Sequence, residues 1–388
     1  QPPPRHTGRS VEKEAVRIAS ASRHPFSSQQ KTVIRSHLIA QVERPLPARE
    51  FDGDSTTSGL LRIDCLPAVA LPADILSAWD RIRHQNTAYR SPFFSHQFVQ
   101  AVARLTPHVE VAVARQGGSI QAIFPFQRRR GSVARPVGAG INDAHGPLLP
   151  PAATVCSSQL LHACGIQRFP FHAAPDGIPQ LAEFAAGTTP AFLADLTVDP
   201  RGYEHFLCQR NSTIRRQGQK TRRMARELGP LRFEFDCRDP RVLDQFLELK
   251  SQHYRRMHIF DIFRVEWIRR LLQELQTEET TATRGVLNVL YAGRTPVALH
   301  YGLIENDWMH YWFPTYDPRF GEYSPGTQLF LDIANRAQEL GLVAIDMGYG
   351  EQAYKHKLTN VVTSMQYGML DRNPWRRAWF HRQWSLRN

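Results

Sequence analysis

The segment from Asn306 to Gly350 constrains this chain more than any other, because it spells a strand, a loop, a helix and a second strand in order. Trp308 to Pro314 reads as the first strand, and Tyr323-Ser324-Pro325-Gly326-Thr327 as a helix start. Ser324 is suited to cap by accepting a backbone N–H. Pro325 suits the first helical position, where its missing donor would be unpaired anyway. Leu329, Phe330, Ile333, Ala334, Ala337 and Leu340 fall on one helical face, Gly341 supplies the stop, and Leu342 to Met347 is the next strand. Such a unit makes a right-handed crossover whose helix N-terminus presents free N–H groups and a partial positive charge, which is an anion site. Gly326 lets an anion approach the backbone where a side chain would block it. Simple capping is the competing reading of Ser-Pro-Gly. Against it, Asp346, Gly348, Tyr349, Gly350, Glu351, Tyr354 and Lys355 crowd the C-terminal end of the second strand, the end where open α/β sheets bind ligands.

The 388 residues suit two domains rather than one, since single cores stop growing near ~250 to 300 residues. A formal charge of +12 permits phosphate, nucleic-acid or anionic-membrane partners and identifies none of them. Five scattered cysteines without a C-x-x-C pair argue against a disulfide framework or a zinc site, and no metal is expected. With no run of 18 apolar residues and no secretory pattern, a soluble cytoplasmic protein is the expectation.

The reading along the chain is α/β, with mixed sheets and two halves. Residues 1–56, rich in Arg, Ser, Gln and Pro, are expected to be a mobile extension, 57–195 a first half and 196–388 a second. The first half runs strand (60–65), helices (72–83 and 95–105), then a hairpin over 109–128 turning at Gly117-Gly118. The second has a basic helix over 213–227, a strand (231–236), helices (241–257 and 265–278), and strands at 285–291 and 296–304 joined by Ala292-Gly293-Arg294. Strand, tight glycine turn and strand recur in both halves, which suggests a structural duplication.

Ser324-Pro325-Gly326 followed by Asp346-Met347-Gly348 and Tyr354-Lys355 resembles the GNAT-type acetyltransferase domain of the CelD-like family, associated with bacterial cellulose and exopolysaccharide synthesis. It is also similar to FemAB-like tandem acyltransferases. The likeness extends more weakly to about Leu60 through Phe93-Phe94, His96, Phe124-Pro125-Phe126 and Thr213-Ile214-Arg215-Arg216. It implies two GNAT-like halves and an acyl-CoA site in the second, with Ser324, Pro325, Gly326, Thr327 and Lys355 on the coenzyme. An acceptor amine or hydroxyl would attack the thioester directly. Tyr354 is the candidate acid and Asp346 or Glu351 the candidate base, with His300 and Tyr301 in reserve. The loop is poorer in glycine and basic residues than in conventional GNAT enzymes, so aminoacyl-tRNA remains an alternative donor, supported by the helix carrying Arg215, Arg216, Lys220, Arg222, Arg223 and Arg226. A non-catalytic subunit of a polysaccharide synthase is the alternative of another class.

In the first half, Gly138-Ala139-Gly140-Ile141-Asn142-Asp143-Ala144-His145-Gly146 lacks the third glycine and the helix of a dinucleotide fingerprint. It is read as acceptor lining, with Asn142, Asp143, His145 and Tyr349 as binding residues. His172 to Asp176 has H-x-x-x-D spacing, but sixteen histidines make such a match expected by chance. No serine-hydrolase elbow, H-E-x-x-H or Walker loop is present. The Trp- and Arg-rich end from Pro374 is expected to pack on the domain, with peripheral contact to a membrane-bound synthase as the weaker reading.

Overall fold

Runs of β-branched and aromatic residues punctuated by glycine turns build one twelve-stranded mixed sheet. The computed structural model describes residues 60–151, 153, 155–277, 282–371 and 373–387; the expected extension over 1–56 lies outside them. The first half comprises β1 (Arg62–Pro67), α1 (Ala73–Gln85), α2 (His96–Leu105), β2 (Val109–Gln116), β3 (Ser119–Arg129), β4 (Val133–Arg135), α3 (Ser157–Ala163), β5 (Arg168–Pro175) and β6 (Ala185–Asp195). Three helices follow, α4 (Tyr203–Arg210), α5 (Ser212–Arg215) and α6 (Gln217–Leu228). The second half continues with β7 (Leu231–Glu234), α7 (Pro240–Arg256), α8 (Glu266–Thr277), β8 (Thr283–Ala292), β9 (Thr295–Glu305), β10 (Trp308–Tyr316), α9 (Pro325–Glu339), β11 (Ala344–Tyr349), α10 (Ala353–Leu358), β12 (Val361–Asp371) and α11 (Pro374–Arg387).

The sheet order β1-β2-β3-β4-β5-β12-β6-β11-β10-β9-β8-β7 makes the duplication plain. Five strands enter from each edge in the same sequence, antiparallel until the fourth and fifth, which are parallel in both halves (β4 with β5, β10 with β11). The sixth strands are exchanged: β12 pairs with β5, β6 pairs with β11, and the two pair with each other at the centre. Helices of both halves also share one core, where Trp79 and Phe98 of α1 and α2 join Phe246 and Leu271 of α7 and α8. A second core on the other side holds Tyr203, Met224, Phe330 and Ile333 from α4, α6 and α9.

Four local expectations need correction. Ser324 makes no capping hydrogen bond; it takes a left-handed backbone with φ 53°. Leu340 leaves the apolar face of α9 and is 46% exposed, while Leu342 beyond the turn is buried instead. Trp375 and Trp379 do not pack: they are 83% and 62% exposed. The basic helix is also broken at Arg216 into α5 and α6. Among the described residues, no helix is long and apolar enough to cross a membrane.

Candidate active site at the fork of β10 and β11

Strands β10 and β11 run parallel for three residues only, Trp308↔Ala344, Met309↔Ile345 and His310↔Asp346. Beyond that pair β10 continues to Tyr316 while β11 stays with β6, its register shifting between Asp346 and Tyr349, and β10 bulges against β9 between His310 and Phe313. The strands therefore part at His310, opening a fork whose β10 side leads on to the start of α9. The first half has the corresponding fork, since β4 meets β5 only at Val133↔Arg168. There the chain fills it: the His145 N–H donates to the Ala173 carbonyl (2.9 Å), and His145 Nε2 accepts from the His172 and Ala173 N–H groups (3.1 and 3.3 Å). Leu148 bridges to Ile123 of β3.

That filling segment delivers Asp143 across the molecule to the open fork. His310 Nε2 donates to Asp143 Oδ2 at 3.2 Å, and His310 Nδ1 lies 3.3 Å from Asp346 Oδ2, an ion-pair contact whose angle falls short of a hydrogen bond. Asp346 also accepts from the Gly348 N–H at 2.8 Å. The His310 ring is buried edge-on to Phe93, with centroids 4.8 Å apart. Burial alone would strip its proton, yet the Asp346 and Asp143 carboxylates outweigh it and raise the pKa to about 9. Burial likewise works against the Asp346 carboxylate, but the His310 charge prevails and holds it below its usual range. Asp143 is the member that an incoming molecule reaches, its side chain being 30% exposed against 1% for His310. Gly348, at φ 67°, makes the approach feasible: a Cβ there would stand 2.8 Å from Asp143 Oδ2.

At the other end of the fork, the unusual backbone of Ser324 turns its hydroxyl toward α6, where Lys220 Nζ donates to Ser324 Oγ at 2.8 Å. Gln217 Nε2 donates to the Tyr323 carbonyl at 3.1 Å and holds the loop against the same helix. Lys220 thus sets a cation beside the N–H groups that open α9, and the loop's own shortage of basic residues is made good from a helix a hundred residues earlier. The added Cβ of a residue at Gly326 would meet the Tyr316 ring at 3.6 Å, an ordinary contact.

The remaining residues singled out from the sequence divide between the fork and its support. Tyr354 is 38% exposed overall, yet crowding around its phenol raises the pKa, and the Asp143 carboxylate adds to the effect. Tyr349 meets the His172 ring edge-on at 5.9 Å, and burial, then Asp143, keeps its phenol protonated. Lys355 is buried and donates to the Gly348 and Tyr349 carbonyls (3.2 and 2.7 Å), fixing the turn after β11; burial lowers its pKa to about 8. Asn142 holds its own loop through Val137 O and the Ala144 N–H. His300 is fully buried, stacked on Tyr311 at 3.9 Å and bonded to Asn288, and burial drives its pKa well down. Glu351 is exposed, and Thr327 donates its N–H to the Ser324 carbonyl at 3.0 Å. On the α7 side Lys250 is buried among the rings of Tyr254, Phe263 and Phe313, donates to the Pro314 carbonyl of β10 at 3.1 Å, and is pushed by burial to a pKa of about 7.

Sequence reasoning did not find His310. Its one local signal was a histidine inside the otherwise apolar and aromatic run Trp308 to Phe313, and nothing local links it to Asp143, 167 residues away.

Residues 212–356 match the family model of the acetyltransferase (GNAT) domain. The matched span holds α6, the fork, α9, His310 and Asp346, while Asp143 lies outside it. A comparison with curated proteins finds no match. Among solved structures, the tandem GNAT protein from the clavulanic acid biosynthesis pathway is 10% identical with a TM-score of 0.47, over 81% of this chain and 99% of that one. L-PGS from Bacillus licheniformis is 12% identical with a TM-score of 0.47, over 80% and 96%. FemX is 10% identical with a TM-score of 0.45, over 67% and 88%.

Proposed function

We propose that the protein transfers an acyl group from acyl-CoA to an amine or hydroxyl acceptor, with the donor's phosphates at the start of α9 and its arm in the fork. The observation that carries this reading is the fork itself, which opens between a cation-flanked helix N-terminus and the Asp143–His310–Asp346 cluster. The filled fork of the first half supports a single donor site. When bound, acyl-CoA supplies a thioester, and the acceptor attacks it without a covalent enzyme intermediate. Asp143 receives the acceptor's amine or hydroxyl and takes its proton, in place of Asp346, whose oxygens are engaged by His310 and the Gly348 N–H. His310 stays charged below its pKa of about 9 and fixes both carboxylates. Tyr354, which retains its proton, is the donor to the departing thiolate. Acceptors of polysaccharide or cell-envelope synthesis are the class that the Ser324-to-Lys355 motifs suggest through their likeness to the CelD-like family.

Lys220 separates this reading from generic capping. Lys220→Gln should raise KM for acetyl-CoA about ten-fold, the factor that one charge-assisted phosphate contact carries. It should leave KM for S-acetyl-N-acetylcysteamine, a thioester without phosphates, unchanged. Steady-state kinetics with both donors tests it, and equal effects on the two would remove Lys220 from phosphate binding. A second reading, aminoacyl-tRNA as donor, is favoured by the exposed arginines Arg216 and Arg222 that flank Lys220 in the sequence. It predicts tRNA binding that falls steeply with salt.

A further inference from the structure

Helix α11 turns two indoles away from the body of the protein. Trp375 and Trp379 are one helical turn apart, so both rings, 83% and 62% exposed, stand on the same face. The residues between them supply the attachment: Arg377 lies over the Phe184 ring at 5.3 Å, and Arg376 reaches Asp371 at 3.8 Å. Among the described residues the tryptophans outside α11 are buried (Trp79, Trp312) or half-buried (Trp267, Trp308), so this exposure is particular to α11. From Pro374 to Asn388 the sequence has four arginines and no acidic residue.

We propose that α11 seats the protein on an anionic lipid bilayer, with the indoles at the headgroup boundary and the exposed Arg382, on the same helical face, against lipid phosphate. Indole is apolar with one polar handle and partitions to that boundary. Arginines near an anionic leaflet are drawn to it, and the chain's net charge of +12 acts in the same sense. The helix, at 14 residues, is too short and too charged to span, so it lies in the plane of the surface. A protein partner fits less well. Two rings flanking Ala378 fall far short of the roughly 800 Å² per partner of a stable protein interface, whereas each ring enters a bilayer independently of any fitted surface.

The test uses the full chain and vesicles of phosphatidylcholine with and without phosphatidylglycerol. Co-sedimentation with the anionic vesicles only, a blue shift of tryptophan emission on binding, and weakening as salt rises are expected. Trp375→Ser/Trp379→Ser should weaken partitioning about ten-fold or more, with an unchanged thermal melt because both side chains are exposed. Three results would overturn the proposal: a wild type that stays in the supernatant, a double variant that binds as well as wild type, or a wild-type dimer that the double variant dissociates, which would assign the face to a second copy.

Discussion

His310→Gln lowers acyl-transfer turnover about 100- to 1,000-fold, the range for losing one preorganised electrostatic group at a reacting centre. The substitution keeps a hydrogen-bond donor and the approximate volume but removes the charge that Asp143 and Asp346 share. Both carboxylates then lose their counter-charge, the one on Asp346 being buried, so the variant is also less stable by about 3 to 5 kcal/mol, as for other broken buried pairs. The sign with pH follows from the direction of the shift. A histidine whose folded pKa is raised to about 9, from an ordinary value of 6.5, contributes its full stabilisation below about pH 6.5 and none once pH has risen past 9. Urea melts of wild type and variant should differ widely at pH 6 and converge by pH 10. A gap of the same size at both values would mean that His310 is neutral in the folded protein.

Arg83→Met is expected to cost a similar amount, about 3 to 5 kcal/mol, without touching the fork. Arg83 of α1 forms a bidentate pair with Glu305 of β9, both contacts 2.6 Å, and both side chains are almost fully buried. The pair ties α1 of the first half to β9 of the second. Removing the guanidinium strands a carboxylate in the shared core, so the double variant Arg83→Met/Glu305→Leu should recover most of the loss. Denaturant melts of the three proteins test this. A single variant within about 1 kcal/mol of wild type would place the pair among those that contribute nothing measurable.

The sequence made local structure legible wherever one periodicity and one turn signal sufficed. Gly117-Gly118 and Gly293 mark their hairpins, Pro325 opens α9, and the residues from Asp346 to Lys355 do gather at one sheet end. What escaped it depends on partners distant in sequence. The exchange of β6 and β12 leaves no local trace, because either strand would read the same if paired within its own half. Asp143 drew notice as acceptor lining on account of its glycines, but its contact with His310 follows from how one fork is filled. Ser324 was expected to bond its own helix; Lys220 on α6 takes its hydroxyl instead. Lys355 and His300 looked functional by type, yet the fold spends one on two carbonyls and buries the other against Tyr311.

The most direct test is calorimetric titration of acetyl-CoA into wild type and Gly326→Glu, with folding of both checked by circular dichroism. The added Cβ has room beside Tyr316, so the variant should fold while its carboxylate repels phosphate from the start of α9. Saturable binding by wild type, lost in Gly326→Glu, is the result predicted here. A well-folded wild type that does not bind, or a variant that binds as tightly, would contradict an acyl-CoA site at this fork.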